Sequence, residues 1–365
     1  MGIQEKIADL EFEYARTQKN KATEYHLGTI KAKLAKLRAE LLEPSTQGPK
    51  GEGFEVLKSG DARVALIGFP SVGKSTLLNS LTDTESLCAN YEFTTLTCIP
   101  GVIKYKGAEI QLLDLPGIIE GAAQGAGRGR QVIAAARTAD LILMVLDASR
   151  FEEQKDKITQ ELSSMGIRLN RVPPNISFTL RSSGGINFSS TVKLTMIDEK
   201  LVERVLKEYK IYNADVIFRE DASVDDFIDV VLGKRKYLHC LYCYNKIDCL
   251  TIEEIDALAR RPFSIVISCS WGLNLDRLVE KIWQSLKLIK IYTKKRVGEF
   301  PDLKNGFVLR TGSTVATVCS KIHRNLVSSF SYALVWGTST KFSPQRVGLH
   351  HVLHPDDVVQ IVKKA

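Results

Sequence analysis

The residues best suited to chemistry are Gly68-Phe69-Pro70-Ser71-Val72-Gly73-Lys74-Ser75-Thr76, which carry the spacing G-x-x-x-x-G-K-[ST]. They follow the apolar run Val64-Ala65-Leu66-Ile67 and precede the helical-looking Leu77-Leu78-Asn79-Ser80-Leu81, so the motif lies where a strand hands over to a helix. Gly68 and Gly73 let backbone N–H groups close around a polyphosphate at the positive end of that helix. Lys74 would set a cation against the β- and γ-phosphates, and the Ser75 hydroxyl would ligate a bridging Mg²⁺. Asp114-Leu115-Pro116-Gly117-Ile118 ends a second apolar stretch. Asp114 can hold the metal through water, and the Gly117 N–H can meet the γ-phosphate. Between these pieces Phe93-Thr94-Thr95 offers the metal a second hydroxyl from either threonine.

Asn245-Lys246-Ile247-Asp248 closes a further strand and selects the base. The Asp248 carboxylate can accept from N1–H and the 2-amino group of guanine, whereas adenine would leave it unpaired. GTP and GDP are therefore the expected ligands, and a phosphate-loop ATPase or kinase is set aside. Ser268-Cys269, after the following strand, would add a backbone N–H to the guanine O6. The position after Gly117, where a glutamine or histidine can orient water, is Ile118. An aliphatic side chain cannot do this, so slow intrinsic hydrolysis is expected, aided by a partner, a monovalent cation or groups from elsewhere. The glycine-rich stretch from Ile119 to Arg130 should be a switch ordered by the γ-phosphate. Arg128 or Arg130 could serve as an arginine finger in cis, or could be solvated or contact a partner.

These motifs need a scaffold that gathers strand ends. Strands are expected near 63–67, 99–105, 109–114, 141–147, 238–244 and 264–268, separated by helix-length segments. That alternation implies an α/β fold with a mostly parallel sheet and ligand loops at the C-terminal ends of its strands. The interval between Asp147 and Asn245 is longer than one crossover requires. Ile176, Phe178 and Leu180 alternate within it, Ser183-Gly184-Gly185 reads as a hairpin turn, and Ile186 and Phe188 alternate again. A helix through Leu201, Val205, Leu206 and Tyr209 and a strand at Val216-Ile217-Phe218 complete an inserted α+β subdomain. Upstream, Ile3, Ile7, Leu10 and Tyr14, then Ile30, Leu34, Leu37 and Leu41, mark two amphipathic helices joined by a polar turn. Lys31, Lys33, Lys36 and Arg38 on the outer face could touch RNA or stay solvated. The expected organisation is a helical hairpin over 1–46, a linker over 47–60, a nucleotide domain over 61–165 and 236–288, the insertion over 166–235, and a β-grasp module over 289–365.

The chain has 365 residues and is 44% hydrophobic, enough for several folding units. No apolar run approaches the roughly 18 residues of a membrane span, and no secretory signal opens it. A soluble cytoplasmic protein without a membrane partner is expected. The seven cysteines are an odd number scattered through apolar segments, which suits reduced thiols. Neither Cys240-Leu-Tyr-Cys243 nor the cluster His350, His351 and His354 has the companions of a metal site. From Lys287 onward 13 Lys/Arg face 4 Asp/Glu, so this segment carries +9 by itself in a chain of net charge +8, and the remainder is near neutral. Such a surplus in one small module points to a polyanion, nucleic acid or ribosome.

With these residues in place, the sequence resembles the developmentally regulated GTP-binding proteins, within the Obg-like GTPases, and is nearest their second branch. The likeness rests on the phosphate loop, on Tyr91-Glu-Phe-Thr-Thr-Leu-Thr97, on Asp114-Leu-Pro-Gly-Ile-Ile-Glu-Gly-Ala-Ala123 and on Tyr332-Ala-Leu-Val-Trp-Gly-Thr-Ser-Thr340. It implies that Thr95 rather than Thr94 meets the metal, that the insertion is S5D2-like, that the N-terminal helices form a helix-turn-helix-like element, and that the basic module is a TGS domain. It also implies action on translating ribosomes and a dedicated stabilising partner of zinc-finger or RWD type. Ser71 stands where some relatives use asparagine to hold activating K⁺, which leaves potassium use open. The reading that follows is a Mg²⁺-dependent GTPase switch acting on ribosomes or rRNA. The alternative is a ribosome- or RNA-binding scaffold whose nucleotide is structural and barely turned over.

Overall fold

The computed structural model describes residues 2–21, 23–42, 60–82, 100–115, 135–233, 235–294 and 300–363. Thr94, Thr95, Pro116, Gly117, Ile118, Arg128 and Arg130 lie outside the described residues. The chain forms two units. One comprises Met1–Glu55, Leu115–Thr138 and Phe151–Cys240; the other comprises Val56–Asp114, Ala139–Arg150 and Leu241–Ala365.

The second unit is built on strands β1 (Ala62–Ile67), β2 (Pro100–Tyr105), β3 (Ala108–Asp114), β4 (Leu141–Asp147), β9 (Lys236–Asn245) from Leu241 onward, and β10 (Ser264–Val266), in the order β10-β9-β4-β1-β3-β2. β1 runs parallel to β3 and β4, β10 parallel to β9, and only β2 is antiparallel, turning onto β3 through Lys106-Gly107. β1 is buried at every position and β4 at all but its last, which is why both read as unbroken apolar runs. Their C-terminal ends deliver Gly68, Asp114, Asp147 and Asn245 to one edge of the sheet.

The C-terminal strands are β11 (Leu288–Thr293), β12 (Asp302–Arg310), β13 (Phe330–Trp336), β14 (Gln345–Val347) and β15 (Val358–Lys363), ordered β12-β11-β15-β13-β14. Only the β11–β15 pair is parallel, and the Val315–Ile322 helix packs on one face, which gives the expected β-grasp arrangement. Ile289, Ile291 and Leu309 point into this module's core. The alternate residues Leu288 and Val308 instead join Ile282, Trp283 and Leu286 in the core of the large sheet. The two modules therefore share apolar packing at their seam.

In the first unit, α1 (Ile3–Arg16) and α2 (Glu24–Leu42) form the N-terminal hairpin. α2 begins six residues before the expected stripe and buries Leu27, Ile30, Ala32, Leu34 and Ala35. Strands β6 (Ile176–Leu180), β7 (Ile186–Ser190) and β8 (Ala214–Phe218) make a separate sheet. Here the structure corrects the sequence reading. Ser183-Gly184-Gly185 does not close a hairpin, because β8 inserts between the two strands, antiparallel to β6 and parallel to β7. The helices Glu199–Glu208 and Val224–Leu232 cover this sheet and receive α2. Tyr25 donates to Asp198, Tyr209 donates to the Ala32 carbonyl at 3.0 Å, and Lys36 donates to the Glu208 carbonyl at 3.2 Å. Lys31 pairs with Asp225 at 2.6 Å and Arg38 with Glu11 at 2.7 Å. Three of the four cations read as an outer face are thus engaged within the unit, because α2 lies between α1 and the insertion rather than against solvent. β5 (Ile167–Leu169) pairs with β9 over Lys236–Leu238, so the chain enters the insertion after one more strand of the large sheet. Below it the buried Asp229 takes Arg168 Nε at 2.6 Å and Arg235 Nε at 2.9 Å.

Candidate functional site

β1 ends at Ile67 and the loop Gly68–Gly73 turns directly into α3 (Lys74–Leu81). Gly73 caps that helix at φ 95°, and Ser71 also lies at positive φ, 64°. A side chain at Gly73 would be strained and its Cβ would overlap the Asn245 amide, while a Cβ at Gly68 would overlap the Val145 carbonyl. The loop is therefore drawn tight against β4 and β9. Lys74 Nζ donates to the carbonyls of Gly68 and Phe69 at 2.8 Å each, so its charge caps the loop's own backbone.

Asp114 ends β3 beside Lys74. Burial lowers the Lys74 pKa from its ordinary value, and Asp114 only partly offsets it. Burial likewise raises the Asp114 carboxyl, against opposing pulls from Lys74 and from a hydrogen bond with Ser75. Each charge is thus undercompensated by the other. Among the described residues, the buried Asp114 Oδ1 has no hydrogen-bond partner. A buried carboxylate oxygen without a donor, next to the Ser75 hydroxyl, suits a hard divalent cation and its water, so the residues present fit Mg²⁺.

Asn245 joins the Gly68–Gly73 loop to the loop that follows β10. Its side chain is buried; Nδ2 donates to the Val72 carbonyl at 2.8 Å and Oδ1 accepts from the Cys269 N–H at 3.1 Å. Lys246 follows at φ 66° and opens the single turn Ile247–Cys249 that presents Asp248. Asp248 Oδ1 accepts from Ser268 Oγ at 2.6 Å and from Ser270 Oγ at 3.3 Å. The Ser268 hydrogen bond leads in holding this exposed carboxyl below its ordinary pKa. The Cys269 N–H is committed to Asn245, and its thiol is pushed up by burial.

Of the residues singled out in the sequence, 68–76, Asp114, Leu115, Asn245, Lys246, Asp248, Ser268 and Cys269 are described. All but the buried Leu115 belong to the second unit, and Leu115 follows Asp114 directly in the chain. Sequence reasoning missed Asp147 at the end of β4. Its Oδ2 fixes Lys246 Nζ at 2.8 Å, and its Oδ1 accepts from the Ser149 N–H at 3.0 Å. Burial pushes the Asp147 carboxyl up, but Lys246 and Ser149 together hold it below the ordinary range. The available signal was Asp147-Ala148-Ser149 after an apolar run, which places an acid at a strand end like Asp114. It missed Ser270 as well, whose hydroxyl shares Asp248 Oδ1 with Ser268.

Asn245→Ala should remove both hydrogen bonds, leaving the Val72 carbonyl and the Cys269 N–H without their partner. Destabilisation of about 1–3 kcal/mol is expected, together with weaker guanine-nucleotide binding, read by thermal melting with and without GDP.

Three regions match protein families: residues 63–178 a family described as 50S ribosome-binding GTPase, residues 183–288 the C-terminal region of MMR_HSR1 domain, and residues 289–363 the TGS domain. Developmentally-regulated GTP-binding protein 2 of Homo sapiens is 66% identical over 365 residues, covering 100% of each chain. The chain belongs to the developmentally regulated GTP-binding proteins. Within this family, GTP-binding protein 1 of Schizosaccharomyces pombe is 62% identical, again covering 100% of each chain. Among solved structures, the crystal structure of a GTP binding protein from Pyrococcus horikoshii OT3 is similar with a TM-score of 0.40 and 18% identity, covering 82% of this chain and 99% of that one. As a member of the family, the chain is a GTP-binding protein of the Obg-like class with a C-terminal TGS domain. No helix among the described residues is long and apolar enough to cross a membrane.

Proposed function

We propose that this chain is a GTPase switch that hydrolyses GTP to GDP and phosphate and acts in cytoplasmic translation through its basic C-terminal module. The observation that carries the reading is the Asn245 side chain. It ties the phosphate loop at Val72 to the loop that supports Asp248 at Cys269, so one rigid bridge sets the distance between triphosphate and base. In this reading Gly68 to Thr76 cradle the phosphates, and Lys74 exchanges the Gly68 and Phe69 carbonyls for phosphate oxygens. Asp248 reads N1–H and the 2-amino group of guanine. Because the Cys269 N–H is committed to Asn245, the donor to O6 is assigned one residue on, to the Ser270 N–H. Mg²⁺, which GTPases of this kind generally use, would be held by Ser75, by Thr95 and, through water, by Asp114, and would neutralise charge on the phosphates. Gly117 would meet the γ-phosphate. With Ile118 unable to orient water, turnover is slow until a partner or a monovalent cation assists; Ser71 leaves the use of K⁺ to be measured. The resemblance supplies a dedicated zinc-finger or RWD-type stabilising partner, and the charge of the last 79 residues supports the ribosome or rRNA as target.

Ribosome pelleting across a salt series tests the proposal. Association should be stronger with a non-hydrolysable GTP analogue than with GDP and should weaken with salt. Lys74→Ala should abolish the nucleotide dependence. Undiminished association of Lys74→Ala, whatever nucleotide is added, would replace the switch with the scaffold reading.

A further inference from the structure

The first unit holds a cleft of about 420 Å³ lined by α1, α2, the helix Val224–Leu232 and the segments around β5 and the start of β9. Five cations and three carboxylates line it, a surplus of two positive charges. Lys31 with Asp225 and Arg38 with Glu11 are partly exposed pairs and cancel. The surplus therefore lies with the three remaining arginines. Arg168 and Arg235 are largely buried and share the single carboxylate of Asp229, so this group keeps a net charge of +1 away from solvent. Arg168 is fully engaged, with Nε and Nη2 on Asp229 at 2.6 and 3.0 Å and Nη1 on the Ser163 carbonyl at 3.2 Å. Arg235 uses only Nε, at 2.9 Å from Asp229 Oδ1, and among the described residues neither of its Nη groups donates a hydrogen bond. Burial holds the Arg235 pKa below its ordinary value, with Arg168 adding to the effect and Asp229 only partly offsetting it, so this guanidinium is short of negative charge. Arg171, just beyond β5, is exposed and forms no ion pair among the described residues.

We propose that this cleft binds a small phosphate monoester, with Arg235 supplying the hydrogen-bond donors, Arg171 the further charge, and Tyr14, Leu34 and Ile228 the wall for its organic part. A guanidinium with both Nη groups unspent presents the fork that an oxyanion takes in parallel hydrogen bonds. The surplus of two charges matches the near-dianion of a phosphate monoester at neutral pH; a single carboxylate would leave one cation uncompensated. Partly exposed ion pairs contribute little, so Lys31–Asp225 and Arg38–Glu11 can part as the ligand enters. The volume lies in the range of small-molecule sites. With its side chain 9% exposed, Arg235 is open to a terminal phosphate that descends into the cleft. The internal phosphates of a nucleic acid, flanked on both sides by sugars, cannot make that descent. The inference goes beyond the GTPase reading, since every residue of the cleft lies in the first unit and the candidate nucleotide site is built on the second.

The test titrates the full chain, loaded with GDP and Mg²⁺ and freed of excess nucleotide, with phenyl phosphate in a calorimeter. Binding is expected, and Arg235→Lys, which keeps the charge but loses the fork, should weaken it about tenfold or more. Arg171→Ala, a change at an exposed residue that keeps the test decisive should Arg235→Lys fold poorly, should weaken it about threefold and lower its salt dependence. Lys74→Ala should leave it unaltered. Benzoate, the same ring with one negative charge, should bind about tenfold more weakly. Absence of phenyl phosphate binding at a concentration on the order of 1 mM, equal affinity in wild type and both arginine variants, or a loss in Lys74→Ala instead would overturn the proposal. So would tighter binding of benzoate, of a phosphoserine peptide or of single-stranded RNA through the same arginines. Failure of the chain to retain GDP would count against the nucleotide reading, while the arginine variants would still decide the cleft.

Discussion

Asparagine in place of Asp248 should weaken GDP and GTP binding about 100-fold or more and move the preference to xanthine nucleotides. The carboxylate accepts two hydrogen bonds from guanine. An amide can still accept from N1–H, but it then points an N–H₂ at the guanine 2-amino group, and donor meets donor. Xanthine carries an oxygen at that position, so the same amide pairs with it fully. Ser268 and Ser270 hold Asp248 Oδ1 at 2.6 and 3.3 Å, and both hydroxyls can hydrogen-bond an amide oxygen equally well, so the exchange should leave the fold undisturbed. Calorimetric titration of wild type and variant with GDP and XDP reads the result. A GDP affinity within about threefold of wild type would remove Asp248 from the base site.

Asp229→Ala should destabilise the unit that carries it by about 3–5 kcal/mol. The Asp229 side chain is 2% exposed and holds Arg168, itself 15% exposed, and Arg235, 9% exposed. Deleting the carboxylate leaves two guanidinium groups buried near each other without their shared counterion. Burial already lowers the Arg235 pKa, with Arg168 adding to the effect, whereas Arg168 is held above its ordinary value despite burial by the Asp229 hydrogen bond. The chain has two units, so the loss should appear as an early separate step in urea unfolding followed by circular dichroism, while the GDP-stabilised transition moves little. A single transition at the wild-type midpoint would show that the arginines find other partners.

Much of the candidate site could be picked out in the sequence because the chemistry proposed for it is local. A phosphate loop needs two glycines, a lysine and a hydroxyl within nine residues, and the proposed base reader is a tetrapeptide at the end of an apolar strand. β1 and β4 were equally plain, since a strand buried on both faces is apolar throughout. What escaped depends on pairing across long separations. Ser183-Gly184-Gly185 has hairpin chemistry, and nothing in its own neighbourhood reveals that Ala214–Phe218 will slide between the two strands it connects. Lys31 and Lys36 look solvated until the insertion supplies Asp225 and the Glu208 carbonyl, and Arg38 until α1 supplies Glu11. The commitment of the Cys269 N–H to Asn245 likewise appears only when β9 and β10 lie side by side.

Leu288 and Val308 turn away from the β-grasp core and into the one beneath the nucleotide loop. A cut at residue 288, the natural place to separate a TGS fragment for expression, would strip two aliphatic plugs from the GTPase portion and leave both halves with raw hydrophobic wounds. The tail is consequently a poor candidate for grafting onto other proteins, and a prematurely terminated chain should be cleared by proteolysis rather than persist as a nucleotide-binding remnant.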